Sequence, residues 1–228
     1  MKRKGILFDC DGVLLDSESI YLHSLCDYLH SIGIPAQNED VVSVLGKPMA
    51  MITQELREKF DLRAYSDEAI VSGQRQLFRT RFHQTQLQPM PHLIDLLRWC
   101  RTHGWKCAIA SSSDLDYLQD VVRRLQIETC FDAIISTEMV EHGKPAPDIY
   151  RFAARSLGLT NEETIVIEDS HNGILAGKRS GSFTIGYKGS PIQQDTSLAD
   201  LQVTDHQEVI DFLEAVIAAE RSTDKAIL

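Results

Sequence analysis

Four short segments of this chain carry side chains that could perform chemistry together. Two are acidic: Asp9-Cys10-Asp11-Gly12 near the start and Glu168-Asp169 much later in the sequence. Between them lie Ser111, which follows Ile109-Ala110, and Lys144, which lies in a Gly-Lys-Pro sequence. A carboxylate can attack phosphorus and split one displacement into two easier ones, but it needs positive charge to approach a phosphate. These residue types are therefore the set that metal-assisted phosphoryl transfer through an aspartate requires.

Each of these residues can be given a role in such a reaction. We predict Asp9 as the nucleophile and Asp11 as the general acid toward the leaving alcohol, then the base toward water. Lys144 would neutralise the phosphate and orient Asp9. Ser111 and the backbone N–H groups after it would hold phosphate oxygens at a helix N-terminus. These four residues are the predicted catalytic set.

The acidic segments also predict a bound cation. Mg²⁺ usually takes one or two carboxylates together with substrate phosphate and water, so Mg²⁺ is the predicted cofactor. The predicted ligands are Asp9, Asp11 through its backbone carbonyl, Glu168 and Asp169. Asp169 is the choice for the second carboxylate ligand, whereas Glu168 is expected to hold either a metal-bound water or the lysine.

Short apolar runs, each bounded by polar or turn residues, predict the buried parallel strands that would position these side chains. They occupy residues 5–8, 106–110, 133–136, 164–167 and 183–186. Helical patterns lie between them at 92–103, 115–125, 147–157 and 173–180. This alternation predicts an α/β fold with a Rossmann-like, doubly wound parallel sheet. Ligands of such sheets bind beyond the carboxyl ends of the strands, where the predicted residues fall.

One stretch of the chain interrupts the alternation. Residues 17–86 contain helical patterns at 18–32, 49–60 and 67–82, without a convincing strand. We therefore expect residues 1–16 and 87–228 to form the Rossmann-like catalytic core. Residues 17–86 would form an all-helical insert between its two segments. The prolines of Pro89-Met90-Pro91 would stiffen the return to the core.

Each chemical segment also has an ordinary structural explanation when taken singly. Acidic residues are common in loops, and a lone Asp-x-Asp is a weak signal. Ser111 could cap a helix, and Lys144 could be a solvated side chain in a turn. Glu168-Asp169-Ser170 could cap the helix that follows. The joint site is favoured because all the segments occur at strand ends where this fold binds ligands.

Composition narrows the classes of partner. The chain has 228 residues and a formal net charge of -10, and no run of Lys and Arg stands out. Neither nucleic acid nor an anionic membrane is therefore an expected partner. The five cysteines are odd in number and form no Cys-x-x-Cys pair, which favours a reducing cytoplasmic location over a disulfide framework or zinc site. A small phosphorylated molecule is the expected partner, and a monomer is the expected state.

Taken together, the segments resemble a known family. The matching pieces are FDCDGVLLDSE (8–18), IASSS (109–113), GKPAPDIY (143–150) and IEDSHNGILAGKRSG (167–181). Their combination is similar to the haloacid dehalogenase-like hydrolase superfamily, in the branch with a small helical cap after the first strand. The resemblance implies a Mg²⁺-dependent Rossmann-like core and a four-helix cap that closes over the substrate. It also implies the same residue roles as the chemistry above.

Within the superfamily, Asp11 favours phosphate chemistry, because the dehalogenases lack this second aspartate. The expected function is a Mg²⁺-dependent phosphatase of small phosphorylated metabolites, chiefly sugar phosphates, acting through an aspartyl phosphate. A β-phosphoglucomutase-like phosphosugar mutase is the first alternative. Tyr21 and Met49 stand where the mutase carries a histidine and an arginine, although His23 and Lys47 could substitute with a shifted geometry. A catalytically inactive, phosphate-binding regulatory module is the second alternative.

The cap is expected to select the substrate. Lys47 and Arg75 are predicted to line its rim, although either could be an ordinary solvated charge. Ser113 could reach the pocket or act as a helix N-cap. The predicted substrate-binding residues are Gly12, Ser112, Ser113, Lys47, Arg75 and Asn172. The sequence does not choose among phosphorylated metabolites.

Overall fold

The computed structural model of the protein describes residues 3–45, 47 and 49–226, with side chains described as far as residue 219. Within this part the chain forms two compact units. One comprises the described residues of Met1–Asp16 and Leu87–Leu228, and the other comprises those of Ser17–Gln86. None of the described helices is both long enough and apolar enough to cross a lipid bilayer.

The first unit is built on one sheet of six parallel strands in the described chain. In sequence order the strands are β1 (Gly5–Phe8), β2 (Lys106–Ser111), β3 (Ala133–Ser136), β4 (Thr164–Glu168), β5 (Phe183–Tyr187) and β6 (Leu201–Val203). Their order across the sheet is β3-β2-β1-β4-β5-β6. The predicted α/β class with a doubly wound parallel sheet is confirmed. The three-residue edge strand β6 was not predicted.

Helices connect and cover these strands. They are α5 (Leu93–Thr102), α6 (Leu115–Leu125), α7 (Asp148–Ser156), α8 (His171–Ser180) and α9 (His206–Ala226). The apolar face of α7 packs on the centre of the sheet through Ile149, Ala153 and Ala154, which meet Leu7 and Val166. Residues of β1 and β4 are buried along their whole length, because both strands lie inside the sheet and are covered by helices.

The strand order reverses beside β1, and this position determines where a ligand binds. From β1 the sheet extends through β2 to β3 on one side and through β4 to β6 on the other. Phe8, the last residue of β1, pairs with both Ile109 and Ile167, so the carboxyl ends of the three central strands lie within two residues of one another. A crevice opens at such a reversal, beyond the carboxyl ends of the strands. The segments that follow β1 and β4 therefore meet there.

The second unit is helical. Its described helices are α1 (Ser17–Ser31), α2 (Asn38–Val41), α3 (Met49–Phe60) and α4 (Asp67–Gln84). α1 and α4 are joined by a two-point ion pair, in which Arg81 donates to both carboxylate oxygens of Asp27 at 2.6 and 2.8 Å. Ser66 caps α4 by accepting the N–H of Ala69.

The segment of the core that precedes this insert and the segment that follows it run side by side. Leu15 pairs with Pro89 in a short antiparallel bridge, and the N–H of Met90 donates to the carbonyl of Leu14 over 2.8 Å. The core is therefore closed by backbone hydrogen bonds just before the insert begins and just after it ends.

Candidate active site

The two acidic segments are held side by side by the ends of β1 and β4. The N–H of Asp9 donates to the carbonyl of Ile167 over 3.0 Å, which continues the ladder beyond β1. Gly12 turns the chain with a φ of +75°, and a Cβ there would lie 1.8 Å from Oδ2 of Asp169. A glycine is thus needed at position 12 both for the turn and for the close approach of Asp169.

Lys144 joins the two segments. Its ammonium group donates to Oδ1 of Asp9 and to Oε1 of Glu168, each over 2.7 Å. All three side chains are at least nine-tenths buried. The predicted lysine is therefore not a solvated turn residue but part of a buried charge cluster.

Glu168 is surrounded by donors from the chain itself. Oε1 accepts from Lys144 and, over 3.0 Å, from the hydroxyl of Tyr150. Oε2 accepts from the N–H and the hydroxyl of Ser170, both over 2.9 Å. A carboxylate offers about four lone pairs, so these four bonds occupy its acceptor capacity. These four bonds hold Glu168 in place beside Lys144, close to the carboxylates of Asp9 and Asp169.

The buried charges shift the ionisation of their neighbours. Burial, and next the charge of Glu168, raise the pKa of Asp9 to about 7, although Lys144 opposes the shift. Burial alone would lower the pKa of Lys144, but Asp9 and Glu168 together raise it well above its usual range. Burial and the charges of Asp11 and Asp9 raise the pKa of Cys10 well above its usual range, so this thiol is neutral.

Oxygen atoms suited to a hard cation meet at this point. Carboxylate oxygens of Asp9, Glu168 and Asp169 lie within 4.8 Å of one another, and all three residues are buried. With Lys144 as the neighbouring cation, the formal charges of this cluster remain negative. An oxygen-only, negatively charged donor set fits Mg²⁺. Burial is the largest cause of the raised pKa of Asp9, and the charge of Glu168 adds to it.

Asp11 lies beside this cluster but is held by a different set of residues. The hydroxyl of Tyr117 donates to its Oδ1 over 2.7 Å, and that of Ser113 donates to its Oδ2 over 2.8 Å. Ser113 is not the N-cap of α6; Asp114 occupies that position. The hydroxyl proton of Ser113, a predicted substrate-binding residue, is therefore donated to Asp11.

Other predicted core residues lie around the same sheet edge. Ser111 ends β2, is buried, and accepts the N–H of Ser113 at its hydroxyl oxygen over 3.2 Å. Ser112 is an exposed residue just before α6, and Asn172 is exposed in the first turn of α8. Their roles toward a substrate stay predictions.

The predicted residues of the helical unit have partners of their own. Lys47 forms an ion pair with Glu55, and His23 contacts the carbonyl of Ser19 over 2.6 Å. Arg75 lies in a groove on α4 that is also lined by Ser72, Gln76, Arg79, Thr80 and His83. Lys47 thus has its charge balanced within the unit.

Tyr21 and Met49, the two residues that argued against a mutase, both lie within the described part of the chain. Tyr21 donates to Oε1 of Gln74 over 3.3 Å, and burial raises its pKa to about 12. Met49 is exposed at the start of α3. Gly46 and Pro48, which belong to the same compared segment, lie outside the described residues.

Sequence reasoning missed several residues that shape this site. Tyr150 and Tyr117 were given no role, and Gly173 was only the first residue of a predicted helix. In fact a Cβ on Gly173 would lie 1.7 Å from Oε1 of Glu168. The hydroxyl of Ser170 accepts the N–H of Gly173 and so caps α8, as the local sequence allowed. A glycine three residues after an Asp-Ser cap was the available signal.

The sequence is also similar to a known protein family and to several curated proteins. The sequence profile of the family described as haloacid dehalogenase-like hydrolase matches residues 6–187. The fructose-1-phosphate phosphatase YqaB of Escherichia coli K12 is 26% identical over 179 residues, which cover 78% of this chain and 92% of that protein. The chloroplastic protein SUPPRESSOR OF QUENCHING 1 of Arabidopsis thaliana is 28% identical over 189 residues, 82% of this chain but 18% of that protein. The chain spans about half the length of several other curated relatives.

The fold of this chain is also similar to that of a solved structure. A provisionally assigned β-phosphoglucomutase from Thermotoga maritima superposes with a TM-score of 0.81 at 26% identity. The superposition covers 93% of this chain and 99% of that one. The likeness thus extends over both the sheet-bearing segments and the helical insert.

Proposed function

The chain belongs to the haloacid dehalogenase-like hydrolase family, and on that premise we propose that it is a phosphatase of small phosphorylated metabolites. Sugar phosphates are the favoured substrates, because YqaB, a relative over most of its length, is a fructose-1-phosphate phosphatase. The reaction would proceed through an aspartyl phosphate on Asp9. The observation that carries this proposal is the buried Lys144, which bonds to Asp9 and Glu168 at the end of two neighbouring strands.

In the proposed first step, Asp9 attacks the phosphorus of the ester. Lys144 fixes Oδ1 of Asp9, and this leaves Oδ2 as the attacking oxygen. Glu168, whose oxygens are held by Tyr150 and Ser170, keeps Lys144 in place and charged. The attack thus starts from an oriented carboxylate, and the positive charge of Lys144 opposes the rise in its pKa, which favours the ionised form that nucleophilic catalysis requires.

The same step needs a proton for the leaving alcohol and donors for the phosphate. Asp11 would give its proton to the bridging oxygen as the P–O bond breaks, and would later take one from the attacking water. Ser111 accepts a bond from Ser113 at its oxygen and so has its own proton available for a phosphate oxygen. Lys144 would place its positive charge beside another oxygen of the phosphate.

Mg²⁺ would be held by Asp9 and Asp169, with the backbone carbonyl of Asp11, and when bound would offset the charge of the carboxylates and of the phosphate. Glu168 would act behind this set through Lys144. Chelation should therefore abolish hydrolysis, and Asp169→Asn should raise the Mg²⁺ concentration needed for half-maximal rate. Full activity after exhaustive chelation would contradict the assignment.

Phosphate release from a panel of phosphorylated metabolites in the presence of Mg²⁺ tests the proposed activity. We expect release from one or more sugar phosphates by the wild type and not by Asp9→Asn. Equal release by both proteins on every compound would overturn the proposal. Failure of the wild type to bind beryllofluoride with Mg²⁺ would favour the inactive regulatory module instead.

A phosphosugar mutase is the second candidate, since the Thermotoga maritima neighbour is assigned, provisionally, as one. Tyr21 and Met49 oppose it, because neither side chain supplies the cation that a second phosphate needs. Conversion of β-glucose 1-phosphate to glucose 6-phosphate faster than its hydrolysis would promote the mutase. Hydrolysis without such conversion would support the phosphatase.

Two further assignments belong to this proposal. We assign the helical unit, residues 17–86, as the cap that selects the substrate, with Arg75 as a candidate contact. The five cysteines are free thiols, and four of them are buried, which supports a reducing compartment such as the cytoplasm.

A further inference from the structure

The carboxylate of Asp11 is held by two hydroxyl groups that come from one stretch of chain. Ser113 precedes α6 and Tyr117 lies in its first turn, four residues later. Each donates to a different oxygen of Asp11, over 2.8 and 2.7 Å. Both carboxylate oxygens of Asp11, which follows β1, thus accept hydrogen bonds from the segment that joins β2 to α6 and from the first turn of α6.

Ser113, one of the two donors to Asp11, is itself hydrogen-bonded to the ends of two neighbouring strands. The N–H of Ser113 donates to the hydroxyl oxygen of Ser111 at the end of β2. The carbonyl of Ser113 accepts the hydroxyl of Ser136 at the end of β3, over 2.8 Å. Ser113 is therefore fixed at three atoms, and the phenol of Tyr117 has only two side-chain torsions to order. The position of Asp11 is set by a rigid frame rather than by its own rotamer preference.

We propose that Tyr117 is a positioning residue for proton transfer by Asp11, acting together with Ser113. This inference rests on the proposed function. Each oxygen of Asp11 accepts one bond, and a carboxylate oxygen has two lone pairs, so one position on each oxygen remains for a transferable proton. In the first step this proton passes to the bridging oxygen while the P–O bond breaks, the alcohol leaves, and Asp11 becomes a carboxylate. Tyr117 does not touch the ester; it holds the group that does.

The leaving group provides the test. A sugar alkoxide needs a proton as it leaves, whereas nitrophenolate leaves without one. We expect Tyr117→Phe to lower kcat/KM about tenfold on fructose 1-phosphate, a part of the 10²–10⁴-fold that general acid catalysis typically supplies. On p-nitrophenyl phosphate the loss should stay below about threefold by the same reasoning. Ser113→Ala, which removes the other hydroxyl, should show the same selectivity.

A double-mutant cycle separates positioning from a general structural role. In an Asp11→Asn background, Tyr117→Phe should cause no further loss on fructose 1-phosphate, because the group it positions is already disabled. A further tenfold loss in that background would overturn the inference. Equal losses on both esters, or no loss on either, would also overturn it.

A second readout does not depend on activity. Crystal structures of the wild type and of Tyr117→Phe should show Asp11 between Ser113 and Tyr117 in the first, and displaced or in several conformers in the second. An unmoved Asp11 in the variant would contradict the inference. If the wild type hydrolyses neither ester, the proposed function fails and this inference fails with it. A wild type active on both, with non-selective variants, overturns the inference alone.

Discussion

Lys144 shares one ammonium group between two buried carboxylates, Asp9 and Glu168. Such an arrangement is stable only while the cation is present, because two buried anions would otherwise face each other. The single residue therefore serves the fold and the proposed chemistry at once. Its substitution should affect both, and the two effects can be measured separately.

We expect Lys144→Met to abolish phosphate release and to lower the free energy of unfolding by about 3–5 kcal/mol, the usual cost of removing one partner from a buried ion pair. Urea denaturation without divalent cations measures the stability. The double variant Lys144→Met with Glu168→Gln should regain part of the lost stability, since one of the uncompensated charges is gone. A double variant less stable than the single one would contradict this view of the cluster.

Glycine at position 173 is needed for contact rather than for backbone freedom. It lies inside α8, where alanine would normally stabilise the helix by up to about 1 kcal/mol. A Cβ there would lie 1.7 Å from Oε1 of Glu168. Gly173→Ala should therefore destabilise the protein and, by displacing Glu168 and Lys144, lower kcat/KM about 100-fold.

Gly33 provides the matched control for this prediction. A Cβ added there would have nothing within 4 Å, and only its φ of +85° is unfavourable for alanine. Gly33→Ala should cost about 1 kcal/mol of stability and leave kcat/KM unchanged. If both variants lost activity alike, the contact with Glu168 would not be the cause.

The start of α9 is tied to the loop after β1 by a buried histidine. His206 donates from Nε2 to the carbonyl of Val13 over 2.9 Å and stacks on Tyr187. Its pKa is lowered from 6.5 to about 4 by burial, and His92 lowers it further, while the bond to Val13 and the charge of Asp205 oppose the shift. The folded chain therefore binds this proton less readily than the unfolded chain.

The sign of the resulting pH effect follows from this difference. The stability contributed by neutral His206 is fully present above pH 6.5 and is lost as the pH falls from 6.5 through 4. Its size is about 3.5 kcal/mol, from about 1.4 kcal/mol for each pKa unit. Urea denaturation at several pH values measures it, and His206→Gln should show a flatter decline. An identical decline in the variant would assign the effect to other groups.

Sequence patterns succeeded where an element has its own local signal. The strands β1 and β3 occupy the predicted ranges because apolar runs end at acidic or polar residues. The edge strand β6 was missed because three residues carry no period, and β6 exists only by pairing with β5. The acidic segments were predicted from their spacing, but the contacts of Tyr117 and Tyr150 depend on packing between distant segments. Helical periodicity cannot indicate which helical tyrosine reaches a carboxylate.

The division of the chain into two units makes a prediction for the whole molecule. Because Leu15 pairs with Pro89, the ends left by removing residues 17–86 are already adjacent. A chain in which a short glycine-serine linker replaces this insert closes only a small loop, so the core should unfold cooperatively on heating. It should lose hydrolysis of sugar phosphates more than hydrolysis of p-nitrophenyl phosphate. Absence of a cooperative transition would show that the core depends on the insert.

In the proposed reaction, Asp9 carries the phosphoryl group during turnover. Rapid acid quenching of the wild type with Mg²⁺ and fructose 1-phosphate, followed by peptide mass spectrometry, tests it directly. We predict one added phosphoryl group on the peptide that contains Asp9, formed within the first turnover and absent from Asp9→Asn. Turnover by the wild type without a phosphorylated peptide, or undiminished turnover by Asp9→Asn, would contradict an aspartyl phosphate on Asp9.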